Sequence, residues 1–225
     1  NLNCAGPGLT FGADDIVLDC NGFNLTGSKN GSGISVSGRE NITIKNCNIY
    51  NFTEGIQWIH VYNSTMKNNY VKDNSHDGIY VIGGEGIPSN NNLILNNTAE
   101  YNNWSGYYLD FNTINNSLIN NTAESNGQDG FFVSGLAYDN NFNNTKSCFN
   151  NQSSGSYYDL KDRAFNSGLY NNWKDSTYTT DDPDNTTYFD WIASCITPTI
   201  HHCGDYINTS IILASDVLNS TWGTT

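Results

Sequence analysis

The chain contains an internal repeat: residues 92–109 read NLILNNTAEYNNWSGYYL, and residues 116–133 read NSLINNTAESNGQDGFFV. The two copies are offset by 24 residues, so that Gly106 in the first corresponds to Gly130 in the second. A fixed period of roughly 20–50 residues is typical of solenoids, in which each unit buries its apolar face only against its neighbours. The repeat therefore predicts a solenoid fold.

The same register continues on both sides of this repeat. A glycine followed by a short run recurs at intervals of 22, 23, 28, 24 and 25 residues, at Gly33, Gly55, Gly78, Gly106, Gly130 and Gly155. Pairs of asparagines keep step with these glycines, and stacked asparagine side chains can form hydrogen-bonded ladders. The short segments between these markers suit strands and are too short for helices. The pattern predicts an all-β chain in which three short strands make one turn of a parallel β-helix.

Three phrases resemble the parallel β-helix repeat family: ADDIVLDCNGFNLTG (13–27), GISVSGRENITIKNCNIYNFTEGI (33–56) and SLINNTAESNGQDGFF (117–132). That family includes pectate-lyase-like carbohydrate enzymes, NosD-like periplasmic proteins and archaeal cell-surface proteins. The resemblance implies a right-handed solenoid, here of about seven coils, and right-handed crossovers are strongly preferred in general. We predict an N-terminal cap and first coil over residues 1–32, β-helix repeats over 33–173, and a connector with an extended C-terminal β arm or cap over 174–225.

The charge balance excludes two classes of partner. Nine basic residues against 22 acidic ones give a formal net charge of −13. Nucleic acids and anionic membrane surfaces select for clusters of Lys and Arg, so we expect neither as a partner. No apolar run of about 18 residues occurs, and we expect no membrane span. The first residue is Asn1 rather than Met, which predicts a processed chain from which a signal peptide has been removed.

Cysteines and glycosylation sequons predict export. Six cysteines are typical of an oxidising compartment, and Asn-x-Ser/Thr sequons, which accept glycans in exported proteins, recur along the whole chain. We therefore predict an extracellular or cell-surface glycoprotein. The candidate glycosylation sites are Asn24, Asn30, Asn51, Asn63, Asn103, Asn115, Asn151, Asn185, Asn208 and Asn219.

The strand after each glycine predicts two inward columns and one outward column. Alternate residues of a strand face the same side, so the first and third residues after each glycine point inward, ending with Ser156 and Tyr158 in the last coil. The second residue points outward and is aromatic in four successive coils, at Tyr80, Tyr108, Phe132 and Tyr157. A contiguous row of exposed rings indicates a contact surface. We expect it to be covered by the C-terminal arm through residues 211–213, by another subunit, or by a glycan.

Glu54 and Asp77 occupy one column, just before the glycine in adjacent coils. At the strand spacing of about 4.8 Å they could share a calcium ion or act as an acid/base pair, and His76 could serve as a general base. The structural alternative is that Asp-Gly is a common turn dipeptide. No other cofactor and no transition-metal site is predicted, because the adjacent histidines at 201 and 202 would point to opposite faces of a strand.

The catalytic sets that the resemblance implies do not occur. Pectate-lyase-like sites place Arg or Lys beside calcium-binding carboxylates, whereas Arg39 and Arg163 should lie about five coils apart. The Gly-His-Gly and Arg-x-Lys motifs of polygalacturonase-like sites are missing from the sequence. We therefore assign no catalytic residue and favour a protein that is not an enzyme over one that is.

The cysteine positions predict two intramolecular disulfides and two spare thiols. Matching positions in successive coils bring Cys20 and Cys47 within disulfide reach, and Cys195 and Cys203 can close a hairpin in the tail. The remaining residues, Cys4 and Cys148, should lie roughly 24 Å apart at the coil rise, too far for a bond within one rod. Either the tail folds back and gives these two cysteines other partners, or one of them bonds to a neighbouring molecule.

Two functions of different classes follow from these features. The first is a non-catalytic structural glycoprotein of the cell surface that assembles with itself into a filament or surface layer, because contacts that do not close on themselves give open homopolymers. The fold, the missing catalytic sets and the spare cysteines favour it. The alternative is a polysaccharide-binding or polysaccharide-cleaving protein of the lyase or hydrolase type, favoured by the fold and the aromatic residues. We rank the structural function first, and glycans are the second predicted partner.

Overall fold

A computed structural model describes residues 1–164, 171–178, 189–193 and 195. Every regular element among these residues is a β-strand. Residues 1–195 form one compact unit. Most of the predicted C-terminal arm, including residues 211–213, lies outside the described residues. Within the described part, no helix is long and apolar enough to cross a membrane.

The strands stack into the three walls of a parallel solenoid. The first wall contains β2 (Leu9–Thr10), β5 (Ile34–Ser37), β8 (Ile56–Ile59), β11 (Ile79–Ile82), β15 (Tyr107–Leu109), β19 (Phe131–Val133) and β22 (Leu160–Asp162). The second wall contains β3 (Val17–Asp19), β6 (Thr43–Lys45), β9 (Thr65–Lys67), β13 (Leu93–Leu95), β17 (Ser117–Ile119) and β20 (Asn141–Asn143). The third wall contains β1 (Leu2–Asn3), β4 (Asn24–Thr26), β7 (Asn48–Tyr50), β10 (Tyr70–Lys72), β14 (Thr98–Glu100), β18 (Thr122–Glu124) and β21 (Lys146–Cys148). From the first to the last strand of the seven-stranded first wall, the chain completes six turns.

A long strand, β23 (Asn172–Tyr178), joins the second and third walls. Its first residues pair with β20 and its last residues pair with β21, and β24 (Phe189–Ala193) pairs with β23 in turn. A separate two-stranded sheet is formed by β12 (Ser89–Asn90) and β16 (Thr113–Ile114). The predicted end of the repeats at residue 173 thus falls inside a strand that still pairs with the coil beneath it.

The interior is filled by columns of apolar side chains in register from coil to coil. On the first wall, Ile34, Ile56, Ile79, Tyr107, Phe131 and Leu160 follow one another. The rings of Tyr107 and Phe131 lie 4.4 Å apart and nearly parallel. The Tyr107 hydroxyl donates to the Asn97 carbonyl at 2.8 Å, so its buried polar atom has a partner. Burial of this kind, distributed evenly over the coils, is what stabilises a solenoid.

Three ladders of asparagines, buried except for the half-buried Asn150 and Asn171, line the corners between the walls. They are Asn69–Asn97–Asn121, Asn74–Asn102–Asn126–Asn150 and Asn92–Asn116–Asn140–Asn171. At each step, the side-chain oxygen of one asparagine accepts from both the backbone and the side chain of the asparagine in the preceding coil. Asn102 Oδ1, for example, lies 3.2 Å from Asn74 N and 2.8 Å from Asn74 Nδ2. The ladders therefore satisfy turn amides that would otherwise be buried without partners.

Glycine precedes the strands of the first wall because the neighbouring side chains and the next coil leave no room for a Cβ atom. A Cβ on Gly55 would lie 2.0 Å from Val71 Cγ1 and 2.7 Å from Gly78 O. The same crowding recurs at Gly78 and Gly106. The regular glycine spacing in the sequence is thus a consequence of close packing between coils.

The last coil departs from the predicted register. Gly155 N donates to Asn151 Oδ1 and Asn151 Nδ2 donates to Gly155 O, each at 3.0 Å, so Gly155 closes a turn instead of opening a strand. The strand begins later, at Leu160. The placement of Ser156 and Tyr158 in the inward columns is therefore wrong, and Leu160 and Asp162 occupy those positions.

Candidate functional site

The outward residues of the first wall form a row of aromatic rings. Tyr80, Tyr108 and Phe132 are direct register partners on β11, β15 and β19. The outward position holds Gln57 in the coil before them and Lys161 in the coil after them. We call the three rings the aromatic row.

In the aromatic row, each ring contacts the ring of the next coil, so the row is continuous along the solenoid axis. The ring centroids of Tyr80 and Tyr108 lie 5.3 Å apart at an interplanar angle of 51°. Those of Tyr108 and Phe132 lie 4.7 Å apart at 34°. All three side chains are half-buried. Because strand spacing in a sheet is about 4.8 Å, the stacking of coils alone brings these rings into contact.

Asp110 fixes the tyrosine end of the aromatic row. It occupies the next outward position after Tyr108, and its Oδ2 accepts a hydrogen bond from the Tyr80 hydroxyl at 3.0 Å. Its Oδ1 accepts from the Phe111 amide at 2.7 Å, which orients the carboxylate. Burial, followed by the charge and a hydrogen bond of Asp110, raises the pKa of Tyr108 to about 12. The same causes raise the pKa of Tyr80, so both phenols remain protonated at neutral pH.

Two cationic side chains flank the other end of the aromatic row. Lys161 Nζ lies 5.8 Å from the centroid of the Phe132 ring, and Arg163 Cζ lies 5.2 Å from the same centroid. Both distances are within the range of cation–π contacts. The row thus has a carboxylate beside its two tyrosines and two positive charges at its Phe132 end.

Tyr157 does not extend the aromatic row, contrary to the sequence prediction. Lys161 pairs with Phe132 in its place, because the strand begins at Leu160. A Cβ on Gly155 would lie 2.3 Å from the Tyr157 ring, so this ring packs against the Gly155 turn. Its centroid remains 6.0 Å from Lys161 Nζ, which makes it a neighbour of the cationic end.

Glu54 and Asp77 occupy equivalent places one coil apart, yet their side chains have different surroundings. Gly33 N donates to Glu54 O and Gly55 N donates to Asp77 O, as expected for one column. Asp77 is only 4% exposed, and its Oδ1 accepts from the Ser105 amide at 2.9 Å. Burial is the largest cause that raises the pKa of Asp77 to about 7, and the charge of Glu54 adds to it.

His76 and Trp104 stack on each other in the turns that precede the first wall. Their ring centroids lie 4.0 Å apart at an interplanar angle of 10°. His76 Nδ1 lies 3.4 Å from Glu54 Oε1. Trp104 is 39% exposed and precedes Tyr108 by four residues in the same coil. This stacked pair adds a second aromatic contact surface in the coils that carry the aromatic row.

The calcium site at Glu54 and Asp77 remains a prediction, and the described residues supply no third carboxylate, histidine or cysteine ligand for it. Within residues 1–164, 171–178, 189–193 and 195, no group of three or more His, Cys, Asp or Glu side chains could hold a metal ion. A calcium ion binds roughly six to eight oxygen ligands. One oxygen of Asp77 already accepts the Ser105 amide, so this pair alone is a poor calcium site. The histidines at 201 and 202 lie outside the described residues.

The two arginines lie far apart along the solenoid, as the spacing predicts. Arg39 follows β5 and Arg163 follows β22, five strands further along the first wall. The described face therefore does not reproduce a pectate-lyase-like arrangement that would use both arginines. This face presents aromatic rings, phenol donors, a carboxylate acceptor and two cations.

The disulfides differ in part from those predicted. Cys20 and Cys47 are joined, with a Cα–Cα distance of 4.7 Å, and they are the pair expected from neighbouring coils. The predicted Cys195–Cys203 pair is wrong, because Cys195 is bonded to Cys148 across a Cα–Cα distance of 5.8 Å. The chain after β23 brings Cys195 back to the third wall, so Cys148 is not a spare thiol. Cys4 is a free, half-buried thiol, and residue 203 lies outside the described residues.

The predicted glycosylation sites differ in exposure. Asn30, Asn63, Asn103 and Asn115 are exposed, whereas Asn24, Asn51 and Asn151 are half-buried. Asn185, Asn208 and Asn219 lie outside the described residues. Occupancy of these sequons remains a prediction, and the four exposed asparagines are its best candidates.

The sequence matches a known family over most of its length. The family described as "Right handed beta helix region" matches residues 14–192. No curated protein shows a significant sequence match to the chain.

Solved structures with a similar fold include two that act on polysaccharides. The periplasmic alginate epimerase AlgG is similar with a TM-score of 0.51 and 16% identity, over 75% of this chain and 42% of its own. The catalytic domain of the GH87 alpha-1,3-glucanase in complex with nigerose is similar with a TM-score of 0.50 and 20% identity, over 76% of this chain and 29% of its own. This chain therefore spans less than half of either protein, and at such identities the likeness concerns the fold.

Proposed function

Because the chain belongs to the right-handed β-helix family, we propose that it binds a polysaccharide along the outer face of its first wall. The observation that carries this proposal is the aromatic row formed by Tyr80, Tyr108 and Phe132. A contiguous aromatic surface of this kind indicates a binding site. The row runs along the solenoid axis, which gives an extended site suited to a linear polymer.

Sugar rings match the chemistry of this face. A pyranose has C–H faces that pack on aromatic rings, whose faces are electron-rich, and it has hydroxyl groups at its edge. Asp110, fixed by the Phe111 amide at 2.7 Å, offers a carboxylate that can accept hydrogen bonds from such hydroxyls. Gln57, in register with Tyr80, offers an amide at the N-terminal end of the row. Stacking in the middle and polar groups at the sides are the usual composition of a ligand site.

The similar solved structures support the same substrate class. An alginate epimerase and an α-1,3-glucanase both act on polysaccharides, as their names state. The likeness is one of fold, so it raises the expectation of a carbohydrate ligand without identifying the sugar.

The structural function that the sequence ranks first loses one of its supports. The bond between Cys148 and Cys195 removes one of the two thiols that could have linked molecules. Self-association into a homopolymer therefore remains a separate proposal, to be tested by sedimentation of the native protein. The two disulfides support a compartment outside the cytoplasm, and we extend this to an extracellular or cell-surface location.

A binding panel with one matched pair of variants tests the proposal. Affinity electrophoresis against neutral and acidic polysaccharides should show retardation of the wild-type protein by at least one polymer. Tyr108→Ala, which interrupts the aromatic row at its centre, should weaken that binding about tenfold, equivalent to about 1.4 kcal/mol. Tyr101→Ala removes a tyrosine that is 53% exposed and lies outside the row, and should leave binding unchanged. Equal losses in both variants, or retardation by no polymer, would overturn the proposal.

The same samples separate binding from cleavage. Incubation of each polymer with the wild-type protein, followed by assays for new reducing ends and for the ultraviolet absorbance of unsaturated products, detects hydrolase or lyase activity. Binding without either product is the expected result.

A further inference from the structure

Lys161 is a buried lysine held among aromatic rings at the end of the aromatic row. It is 8% exposed, and its Nζ lies 5.3, 5.8 and 6.0 Å from the ring centroids of Tyr158, Phe132 and Tyr157. Among the described residues, its Nζ donates one hydrogen bond, to the Ser156 carbonyl at 3.2 Å. An ammonium group carries three N–H donors, so this side chain keeps capacity for further partners.

No carboxylate of the described residues forms an ion pair with Lys161. Burial of a charge is costly unless the charge is paired. Among the described residues, neither Lys161 nor Arg163 forms an ion pair, whereas Lys45, Lys72 and Lys146 on the other walls do, with Asp19, Glu100 and Glu124. Among the described residues, the first wall therefore holds two cations beside Phe132 that form no ion pair.

Arg163 faces the same side of the solenoid as Lys161. The two residues are separated by one position at the end of β22, and alternate residues of a strand share a face. Both contact the ring of Phe132, at 5.8 Å for Lys161 Nζ and 5.2 Å for Arg163 Cζ. A ligand that stacks on Phe132 would therefore meet an ammonium and a guanidinium together, and the guanidinium fork suits carboxylate and sulfate oxygens.

We propose that the polysaccharide is anionic and that one of its carboxylate or sulfate groups binds between Lys161 and Arg163, beside the sugar that stacks on Phe132. This inference rests on the proposed function and names the substrate class of the same site. Lys161 then acts as a specificity-determining residue. The aromatic rings around Lys161 hold its ammonium group in place, so that little side-chain entropy is lost when the ligand binds.

The uneven distribution of charge along the aromatic row gives the bound polymer a direction. Asp110 follows Tyr108 in the same coil and is hydrogen-bonded to Tyr80, so it repels an anion beside the two tyrosines and can accept a hydrogen bond from a sugar hydroxyl. The acidic sugar should therefore lie at Phe132 and a sugar with free hydroxyls at Tyr80.

Two matched pairs of polymers test the charge of the ligand. Polygalacturonate and its methyl ester share one backbone and differ in the carboxylate, and dextran sulfate and dextran differ in the sulfate. We expect the charged member of at least one pair to bind wild-type protein at least tenfold more tightly than its neutral partner. The pair that responds identifies the acid group, and the preference should shrink as salt is raised because charges are screened.

Three variants assign that preference to residues. Lys161→Met keeps an apolar side chain among the rings and removes the charge, and it should lower affinity for the charged polymer about tenfold while sparing the neutral one. Arg163→Gln, at an exposed position, gives the same test without disturbing the interior. Lys72→Met is the control, because Lys72 also lies over a tyrosine ring, Tyr101, at 4.7 Å but on the third wall. Circular dichroism confirms that each variant is folded.

The outcomes distinguish this inference from the proposed function. Equal binding of charged and neutral polymers, with wild-type affinity in Lys161→Met and Arg163→Gln, would overturn the inference and leave the polysaccharide site intact. A charge preference that only Lys72→Met reduces would overturn it as well. Retention by none of the four polymers, nor by the wider panel, would overturn both.

Discussion

Replacement of Asp77 by Asn should change how the stability of the solenoid depends on pH. The Asp77 carboxyl is buried, and burial raises its pKa from 3.8 to about 7. A carboxyl whose pKa is raised by folding binds its proton more tightly in the folded chain than in the unfolded chain. The stability that this proton contributes is present at low pH and is lost as the pH rises from about 4 to about 7.

The size of the effect follows from the two pKa values. At 1.36 kcal/mol for each pH unit, the interval between 3.8 and about 7 corresponds to roughly 4 kcal/mol between pH 4 and pH 8. Asn carries no titrating proton, and its Oδ1 can still accept from the Ser105 amide, which lies 2.9 Å from Asp77 Oδ1. At pH 8, Asp77→Asn should therefore be more stable than the wild-type protein by a few kcal/mol, and at pH 4 the two should be similar.

Urea unfolding followed by circular dichroism at several pH values measures this difference. Burial also raises the pKa values of Glu100 and Asp162, but both proteins share those residues, so the difference between the two curves isolates Asp77. Asp139→Asn, which removes an exposed carboxylate, is the control and should give a small difference at every pH. A difference curve for Asp77→Asn that is flat between pH 4 and pH 8 would refute the reasoning.

Three further substitutions test how the coils are held together. Asn102→Ala removes the side chain that accepts hydrogen bonds from Asn74 N and Nδ2 and should lower the free energy of unfolding by roughly 3 kcal/mol, measured with urea, whereas Ala at the exposed Asn103, whose φ is not positive, should cost under about 0.5 kcal/mol. Gly55→Ala would place a Cβ 2.0 Å from Val71 Cγ1, and overpacking of this kind should cost about 3 kcal/mol, seen as a lower urea midpoint. Cys195→Ser should cost about 2–4 kcal/mol through loss of the bond to Cys148, and peptide mapping of the wild-type protein that recovered Cys195 bonded to any other cysteine would contradict the pairing.

The fold was predictable from the sequence because each coil repeats the same packing problem. Gly55 and Gly78 are glycines since the coils leave no room for a Cβ atom, and their regular spacing marks each turn. The parity of the asparagine pairs could not be read from the residue types alone. In the pair Asn96-Asn97, the second residue is buried and bonds to Asn121, while the first is exposed, and only the corner geometry distinguishes them.

The last coil shows where the pattern misleads. Gly155 has the right spacing for another coil, but its turn with Asn151 moves the strand to Leu160. Asp159 then takes the place that glycine holds elsewhere, since its carbonyl accepts from the Phe131 amide. The apolar Leu160, flanked by polar residues, is the one signal in the sequence for this shift. Because of this shift, the sequence register placed Tyr157 where the structure has Lys161, so Lys161 was not predicted as a site residue.

Two other site residues depend on contacts that no short motif records. Asp110 lies two residues after Tyr108, and alternation places it on the same face, but its bond to Tyr80 joins residues 30 positions apart. Trp104 and His76 stack across adjacent coils from turns in which sequence patterns carry little information. The Cys148–Cys195 bond likewise spans 47 residues and depends on the path of the chain after β23.

Footprinting of tyrosine side chains in the presence of a bound polysaccharide tests the central claim most directly. Hydroxyl-radical labelling with mass spectrometry, with and without the polymer that binds most tightly, reports on each tyrosine in one measurement. Labelling of Tyr80 and Tyr108 should fall several-fold on binding, while labelling of the exposed Tyr101 stays constant. Protection of Tyr101 with unchanged labelling of Tyr80 and Tyr108 would contradict a binding site on the first wall.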